Sequence, residues 1–146
     1  MVDDMVKKIV LVSCVSEKRT TACPARDLYI SDWFTKAARY AVQIADEWYI
    51  LSAEYGLVHP DQVLEPYNTT LRTKGMGVRK AWAEWVFTKL KTHLKPGDKV
   101  VFLAGKAYRE FLLDRVSDLG CKIEIPMEGL RIGEQMQWLN QHIKEC

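Results

Sequence analysis

The sequence lacks the marks of several common protein classes. None of its 146 residues belongs to an apolar run near the roughly 18 to 20 residues that a membrane span needs. Two acidic residues precede the first lysines, and no small-residue cleavage site follows, unlike a secretion signal. The four cysteines form no Cys-x-x-Cys pair and show no Cys/His spacing suited to zinc. We therefore expect free thiols, no metal, no membrane association and a cytoplasmic location.

Familiar nucleotide and cofactor signatures are missing as well. The chain has no Gly-x-Gly-x-x-Gly, no Gly-x-x-x-x-Gly-Lys-Ser/Thr, no nucleophile elbow and no zinc deaminase motif. Nucleoside triphosphate hydrolysis, dinucleotide redox chemistry and metal-assisted deamination therefore rank low, and we expect no cofactor. The formal charge of +2 does not mark a dedicated DNA-binding protein, although a local basic cluster can still attract nucleic acid.

Four apolar runs alternate with four amphipathic patterns along the chain. The runs are at residues 8–14, 48–52, 99–105 and 121–126, and the helical patterns are at about residues 31–45, 78–94, 107–119 and 133–144. This alternation predicts the α/β class, with one domain over residues 1–146. We expect a three-layer sandwich in which a four-stranded, mostly parallel sheet lies between helices. The first run is apolar throughout and predicts a central strand, whereas alternation in the last predicts an edge strand.

A ligand site is expected where the parallel strands end. Residues 13–18, 52–61, 104–108 and 126–131 follow the four strands and should meet at one edge of the sheet. Residues 53–77 are too long for an ordinary connection and form a candidate functional loop. The predicted substrate contacts in and near these segments are Ser13, Cys14, Lys18, Tyr29, Ser52, Tyr55, Gly56, Tyr67, Asn68, Gly105 and Tyr108.

Three side chains are candidates for acid and base chemistry. Asp27 can act as a general base or can simply accept hydrogen bonds that close its loop. Glu54 follows the second strand and is the other carboxylate in reach. His59 can steady a departing anion or move a proton, and it can equally be a surface loop residue.

Aromatic and basic residues in the same region suggest nucleic acid chemistry. Tyrosine rings near the strand ends offer faces on which a base can stack, although each ring also fits core packing. A basic cluster near the start of the second predicted helix can hold phosphates or can be a solvated face. The cluster consists of Arg72, Lys74, Arg79 and Lys80. DNA or a nucleotide is therefore the expected partner, and no oligomeric state is indicated.

Part of the sequence resembles a known family. Leu-Ser-Ala-Glu-Tyr-Gly-Leu-Val-His-Pro-Asp at residues 51–61, followed by Glu65, Pro66 and Tyr67, resembles the strand-loop signature of the YaaA-like peroxide-stress proteins. Residues 13–18 and 24–29 resemble the first-strand motif of a small domain found in bacteria and phages. The chain is much shorter than YaaA, and the DNA-binding elements expected of that family are missing. The four-strand layout is similar to that of the uracil-DNA glycosylase superfamily, which flips a base into a pocket at the sheet edge.

These features lead to one main hypothesis and two alternatives. The main hypothesis is a metal-free DNA glycosylase that removes a modified base, such as those in phage DNA, in antiviral defence. The base would stack on Tyr55 or Tyr67, Asp27 or, second, Glu54 would supply the carboxylate, and His59 or Lys18 would stabilise the leaving base. The alternatives are a non-catalytic nucleotide or nucleic-acid binding module in stress response and a nucleoside deoxyribosyltransferase-like enzyme with Glu54 as nucleophile.

Overall fold

The protein folds around one central sheet. The computed structural model describes residues 6–13 and 18–144. In chain order, the elements are β1 (Lys8–Ser13), β2 (Cys23–Pro24), α1 (Ala25–Leu28), α2 (Asp32–Ile44), β3 (Glu47–Ser52), β4 (Gly56–Val58), β5 (Val63–Leu64), α3 (Met76–Leu90), a 3-10 turn (Lys91–His93), β6 (Lys99–Leu103), α4 (Lys106–Arg109), α5 (Leu113–Asp118), β7 (Lys122–Glu124) and α6 (Ile132–His142).

The main sheet has five strands in the order β4-β3-β1-β6-β7. Strands β3, β1, β6 and β7 run parallel, whereas β4 is antiparallel to β3. The predicted α/β class, the central position of β1 and the edge position of β7 are confirmed. The expected count of four strands is wrong by one, because the three residues of β4 return beside β3 after a tight turn. The sheet is therefore mixed at one edge and parallel elsewhere.

The turn into β4 depends on a glycine. Gly56 has φ of +74°, a conformation that costs residues with a Cβ about 1–2 kcal/mol. A Cβ on Gly56 would also lie 3.0 Å from the Trp85 ring. These two constraints account for a glycine at position 56. The substrate contact that we expected of Gly56 is not needed to explain it. Gly56 is a structural residue of the turn.

The helices cover both faces of the sheet. The chain passes from β1 through α2 to β3 on one side, and then from β3 through α3 to β6 on the other side of β1. Right-handed connections in opposite directions place α2 and α3 on opposite faces. Helix α2 begins as predicted, with the Ser31 hydroxyl accepting the N–H of Phe34 at 3.1 Å. Within the described residues, no helix has the length and apolar character to cross a membrane.

The long segment after β3 is more ordered than the sequence indicates. Besides β4 it contains β5, which pairs antiparallel with β2 in a separate two-stranded sheet. Beside this pair, the N–H of Ala25 donates to the carbonyl of Gln62 at 2.7 Å, and the N–H of Arg26 donates to that of Pro60 at 2.9 Å. The small sheet thus fastens the loop that follows β1 to the loop that follows β3.

Candidate functional site

The topology selects one edge of the sheet. Because the chain leaves β1 toward β3 and later reaches β6 on the opposite side, the direction of the connections reverses beside β1. Ligands of open α/β sheets bind outside the carboxyl ends of the strands at such a reversal. We call this side of the sheet the carboxyl edge. Of the predicted contacts there, Cys14 lies outside the described residues.

A tyrosine cluster, consisting of Tyr29, Tyr55, Tyr67 and Ser52, occupies the carboxyl edge beside β3. The Ser52 hydroxyl donates to the Tyr67 hydroxyl at 2.8 Å, which lies 2.6 Å from the Tyr29 hydroxyl. The Tyr55 ring meets Tyr67 edge-on, with 5.5 Å between centroids. The structure thus brings together four predicted residues from three separate segments.

Ser52 connects the tyrosine cluster to the end of β3 through several hydrogen bonds. It is fully buried at the end of β3, and its hydroxyl also accepts the backbone N–H groups of Glu54 at 3.2 Å and Tyr55 at 3.0 Å. Its carbonyl accepts the indole N–H of Trp82 at 2.9 Å. Such a fully bonded serine holds the turn and orients the Tyr67 hydroxyl.

A lysine lies against the tyrosine cluster. Lys18 forms an isolated β-bridge with Tyr29, and its ammonium nitrogen is 4.5 Å from the centroid of the Tyr67 ring. Cation–π attraction holds an ammonium at this distance. A base that stacks on that face of Tyr67 would have to displace Lys18. Tyr55 is therefore the better candidate for the expected stacking. Lys18 itself is well placed to meet an anion.

The carboxylates differ in their relation to the tyrosine cluster. Glu54 is exposed two residues after Ser52, and its Oε1 accepts the Thr69 hydroxyl at 2.5 Å. Asp27 is exposed on α1, where its backbone carbonyl accepts the Arg19 Nε at 2.8 Å. The geometry therefore favours Glu54 over Asp27, the reverse of the ranking from sequence.

His59 does not lie at the carboxyl edge, contrary to expectation. Antiparallel β4 carries the chain back along β3, and the His59 ring packs edge-on against Tyr49 with 6.1 Å between centroids. Tyr49 is roughly 10 Å from Ser52 along the strand. The His59 Nδ1 accepts the N–H of Asp61 at 3.0 Å. His59 is thus an exposed turn residue, separated from the tyrosine cluster.

Ser13 also lies apart from the tyrosine cluster. It is buried at the end of β1 and is level with Leu51 in the neighbouring strand. Because successive side chains of a strand point to opposite faces, Ser13 and Ser52 lie on different faces of the sheet. Asn68 is exposed directly after Tyr67.

Two residues of the predicted phosphate cluster, Arg79 and Lys80, already contact other groups of the protein. The Arg79 Nε forms an ion pair with Glu110 at 2.9 Å, and one guanidinium N–H donates to the Lys74 carbonyl at 2.6 Å. The Lys80 ammonium lies 5.5 Å from the Phe111 centroid. Arg72 and Lys74 have exposed side chains. Arg79 and Lys80 therefore bind α3 to the segment after α4, which sequence reasoning could not show.

A cavity of about 190 Å³ lies at the ends of β6 and β7. Gly105, a predicted substrate contact, lines it together with Arg109 and Gln135, which the sequence did not single out. The Arg109 guanidinium donates to the Ala104 carbonyl at 2.7 Å. Tyr108, in contrast, is buried, and its hydroxyl accepts the N–H of Leu71 at 3.4 Å. Of the two predicted residues, only Gly105 borders this open space.

A second titratable cluster lies at the opposite, amino end of the sheet. Glu47 accepts hydrogen bonds from the Lys7 ammonium at 3.0 Å and the Tyr49 hydroxyl at 2.8 Å, and the latter is 3.2 Å from His93 Nδ1. Burial alone would raise the pKa of Glu47, but these hydrogen bonds and the nearby cations lower it overall. Burial, followed by the hydrogen bond and charge of Glu47, raises the pKa of Tyr49. Sequence patterns give no signal for this amino-end cluster, because it joins β3 to residues that are distant in the chain, Lys7 before β1 and His93 before β6.

The structure is that of a small α/β protein whose carboxyl edge carries a candidate site of hydroxyls, one lysine and one carboxylate. The sequence profile of a Family of unknown function (DUF6884) matches residues 9–141, and the chain belongs to that family. The chain is similar to the Uncharacterized protein YfjM of Bacillus subtilis (strain 168), with 28% identity over 153 residues that cover 95% of this chain and 97% of the relative. The matched region includes the tyrosine cluster, Lys18 and Glu54.

Proposed function

We propose that this protein is a metal-free N-glycosidic hydrolase that removes a modified base from DNA. The observation that supports this best is the Glu54 carboxylate, held by Thr69 beside the tyrosine cluster at the carboxyl edge. Breaking the bond between C1′ and the base leaves positive charge on the sugar, which a nearby carboxylate stabilises. The same carboxylate can accept a proton from the water that adds to C1′.

The other residues have supporting roles in this proposal. The half-buried Tyr55 presents a ring on which an extruded base can stack. Lys18, held against Tyr67, lies near the region where the departing base would carry negative charge. The base leaves with a proton from Lys18 or water, so that hydrolysis yields the free base and an abasic sugar. Asp27 is the second choice for the carboxylate.

The sequence resemblances agree with this proposal. The YaaA-like signature covers the end of β3, β4 and Tyr67, which carry much of the candidate site. In the uracil-DNA glycosylase superfamily, which the predicted layout resembles, the base enters a pocket at the sheet edge. We include in the proposal a cytoplasmic role in defence against phages whose DNA carries modified bases.

Abasic-site formation tests the proposal directly. The purified protein would be incubated with DNAs that carry methylated, hydroxymethylated or glycosylated bases, and alkaline cleavage would report abasic sites. Glu54→Gln should lower the rate by at least about 100-fold, whereas Asp27→Asn should have a small effect. The matched control is Glu84→Gln, because Glu84 is an exposed glutamate of α3 that pairs with Arg115 on α5. A folded wild-type protein that forms no abasic sites on any of these DNAs would refute the proposal.

A second candidate function is a non-catalytic nucleotide or nucleic-acid binding module. The observation that favours it is the chain of hydroxyls in the tyrosine cluster, which bond to one another. This function predicts salt-sensitive binding that survives the combined Glu54→Gln and Asp27→Asn substitutions. A deoxyribosyltransferase-like enzyme would instead form a sugar adduct on Glu54, which mass spectrometry of the intact protein would detect.

A further inference from the structure

An open groove of about 390 Å³ lies next to the tyrosine cluster. Helix α1, the exposed side of α2 and the start of β3 line this groove, and Tyr29 belongs both to its lining and to the tyrosine cluster. We call it the arginine groove. The lining residues that matter here are Arg19, Arg26, Arg39, Ile30, Val42 and Trp48.

The arginine groove is positively charged. Three arginines line it, against one carboxylate, that of Asp27. Arg26 forms an ion pair with Asp61 at the rim, and Arg19 bonds to the backbone of α1. Arg39 is exposed on α2 and makes no hydrogen bond or ion pair within the described residues. The groove thus has a net positive charge and at least one cation that is available to a ligand.

Apolar surface accompanies this charge. Val42 is 62% exposed and Ile30 is 47% exposed, and both line the arginine groove with the half-buried Trp48. On α2, Val42 and Arg39 belong to the stripe that faces away from the core, since Ala37, Tyr40 and Ala41 face inward. Proteins that bind single-stranded nucleic acid combine apolar and aromatic surface with arginines. The bases pack on the apolar and aromatic surface, and the phosphates pair with the arginines.

We propose that the arginine groove binds the DNA strand that flanks the base presented at the tyrosine cluster. This inference rests on the proposed function and assigns the main phosphate contact to Arg39, whose side chain has no partner within the described residues, while Arg19 and Arg26 add positive charge beside it. Two observations support it: Tyr29 connects the groove to the tyrosine cluster, and the exposed Arg39 lines the groove. A single strand is the expected occupant because the groove offers surface for unstacked bases as well as for the backbone.

Fluorescence anisotropy with a short, labelled single-stranded DNA tests this assignment. Arg39→Gln should weaken binding about fivefold at low salt and lower the slope of log affinity against log salt by about 0.7, the value of one lost phosphate contact. Val42→Asp places a carboxylate in the arginine groove and should weaken binding more strongly. Lys122→Gln removes one positive charge from β7, at the far edge of the sheet, and should leave affinity unchanged.

The outcomes separate this inference from the proposed function. Wild-type affinity in both groove variants, or a loss equal to that of Lys122→Gln, would overturn the inference while abasic-site formation could still stand. Binding through the groove without abasic sites on any modified DNA would support the groove and refute the hydrolase. Stronger competition by polyglutamate than by unlabelled DNA would show that the groove prefers an acidic polypeptide, and this result would also overturn the inference.

Discussion

The two ends of the central sheet both gather titratable and aromatic side chains, but they use them differently. At the amino end, Lys7, Glu47, Tyr49 and His93 bond mainly to one another and hold strands together. At the carboxyl edge, the tyrosine cluster also bonds internally, yet the Glu54 carboxylate beside it is exposed to incoming molecules. The comparison shows that a cluster of polar residues does not by itself identify a ligand site. The topology of the strands supplies the missing criterion.

Asp98 illustrates the structural use of charge at the amino end. It is fully buried, and its carboxylate accepts the backbone N–H groups of Lys7 at 2.9 Å and Lys95 at 3.0 Å. These bonds join the residue before β1 to the turn before β6. Asp98 thereby supplies an acceptor to two partly buried backbone N–H groups.

Removal of Asp98 should give the largest effect on stability. Asp98→Ala removes the carboxylate that accepts the N–H groups of Lys7 and Lys95 and should lower the free energy of unfolding by roughly 3 kcal/mol. Urea denaturation followed by circular dichroism measures this loss. Asp46→Ala is the control, because Asp46 accepts only one backbone bond at an exposed position. Equal losses in the two variants would contradict the structural role of Asp98.

The next largest effect is expected at the carboxyl edge. Tyr67→Phe removes the hydroxyl that accepts from Ser52 and lies beside that of Tyr29, and it should cost about 1–2 kcal/mol. Tyr55→Phe removes only an exposed bond to the Glu65 carbonyl at 3.3 Å and should cost less than about 0.5 kcal/mol. Thermal unfolding of the two variants provides the measurement. If both were neutral, the hydroxyl chain would not hold the cluster together.

Glu47 should make the amino-end cluster sensitive to acid. Its pKa in the folded protein lies below the ordinary value of 4.5, so its ionised form stabilises the fold above that pH. This contribution is lost as the pH falls through the folded pKa. Glu47→Gln should therefore cost up to about 1 kcal/mol at neutral pH, since the pair with Lys7 is partly exposed. Urea denaturation should show that the difference from wild type shrinks below pH 4.5, and a constant difference would contradict this reasoning.

The smallest effect is expected for His59. Its Nδ1 accepts the N–H of Asp61, and its ring contacts the amino-end cluster at Tyr49. His59→Ala should change the free energy of unfolding by less than about 0.5 kcal/mol, and it should leave abasic-site formation unchanged. A rate assay on the same DNA substrates as for Glu54→Gln checks this expectation. A large loss of rate would restore His59 as a catalytic candidate.

Much of the fold is predictable from the sequence, but less of the site is. Three of the four parallel strands are continuous apolar runs, the fourth alternates, and Ser31 marks the start of α2, so local patterns suffice for them. Strand β4 is missed because a three-residue strand after a glycine turn leaves almost no periodic pattern. The meeting of Tyr29 with Tyr67 and the pairing of Arg79 with Glu110 depend on contacts between distant segments. Sequence patterns alone could name these residues but could not choose their partners.

The two-stranded sheet formed by β2 and β5 has a consequence for local stability. It joins segments that lie far apart in the chain through short strands, and Tyr29 and Tyr67 of the tyrosine cluster follow these strands. Units of this kind open in local fluctuations while the central strands stay closed. We expect the amide of Ala25 to exchange with deuterium much faster than the amides of β1. The edge that would receive a ligand is then also the part of the sheet region that opens most readily, and ligand binding should slow its amide exchange before it affects the rest of the protein.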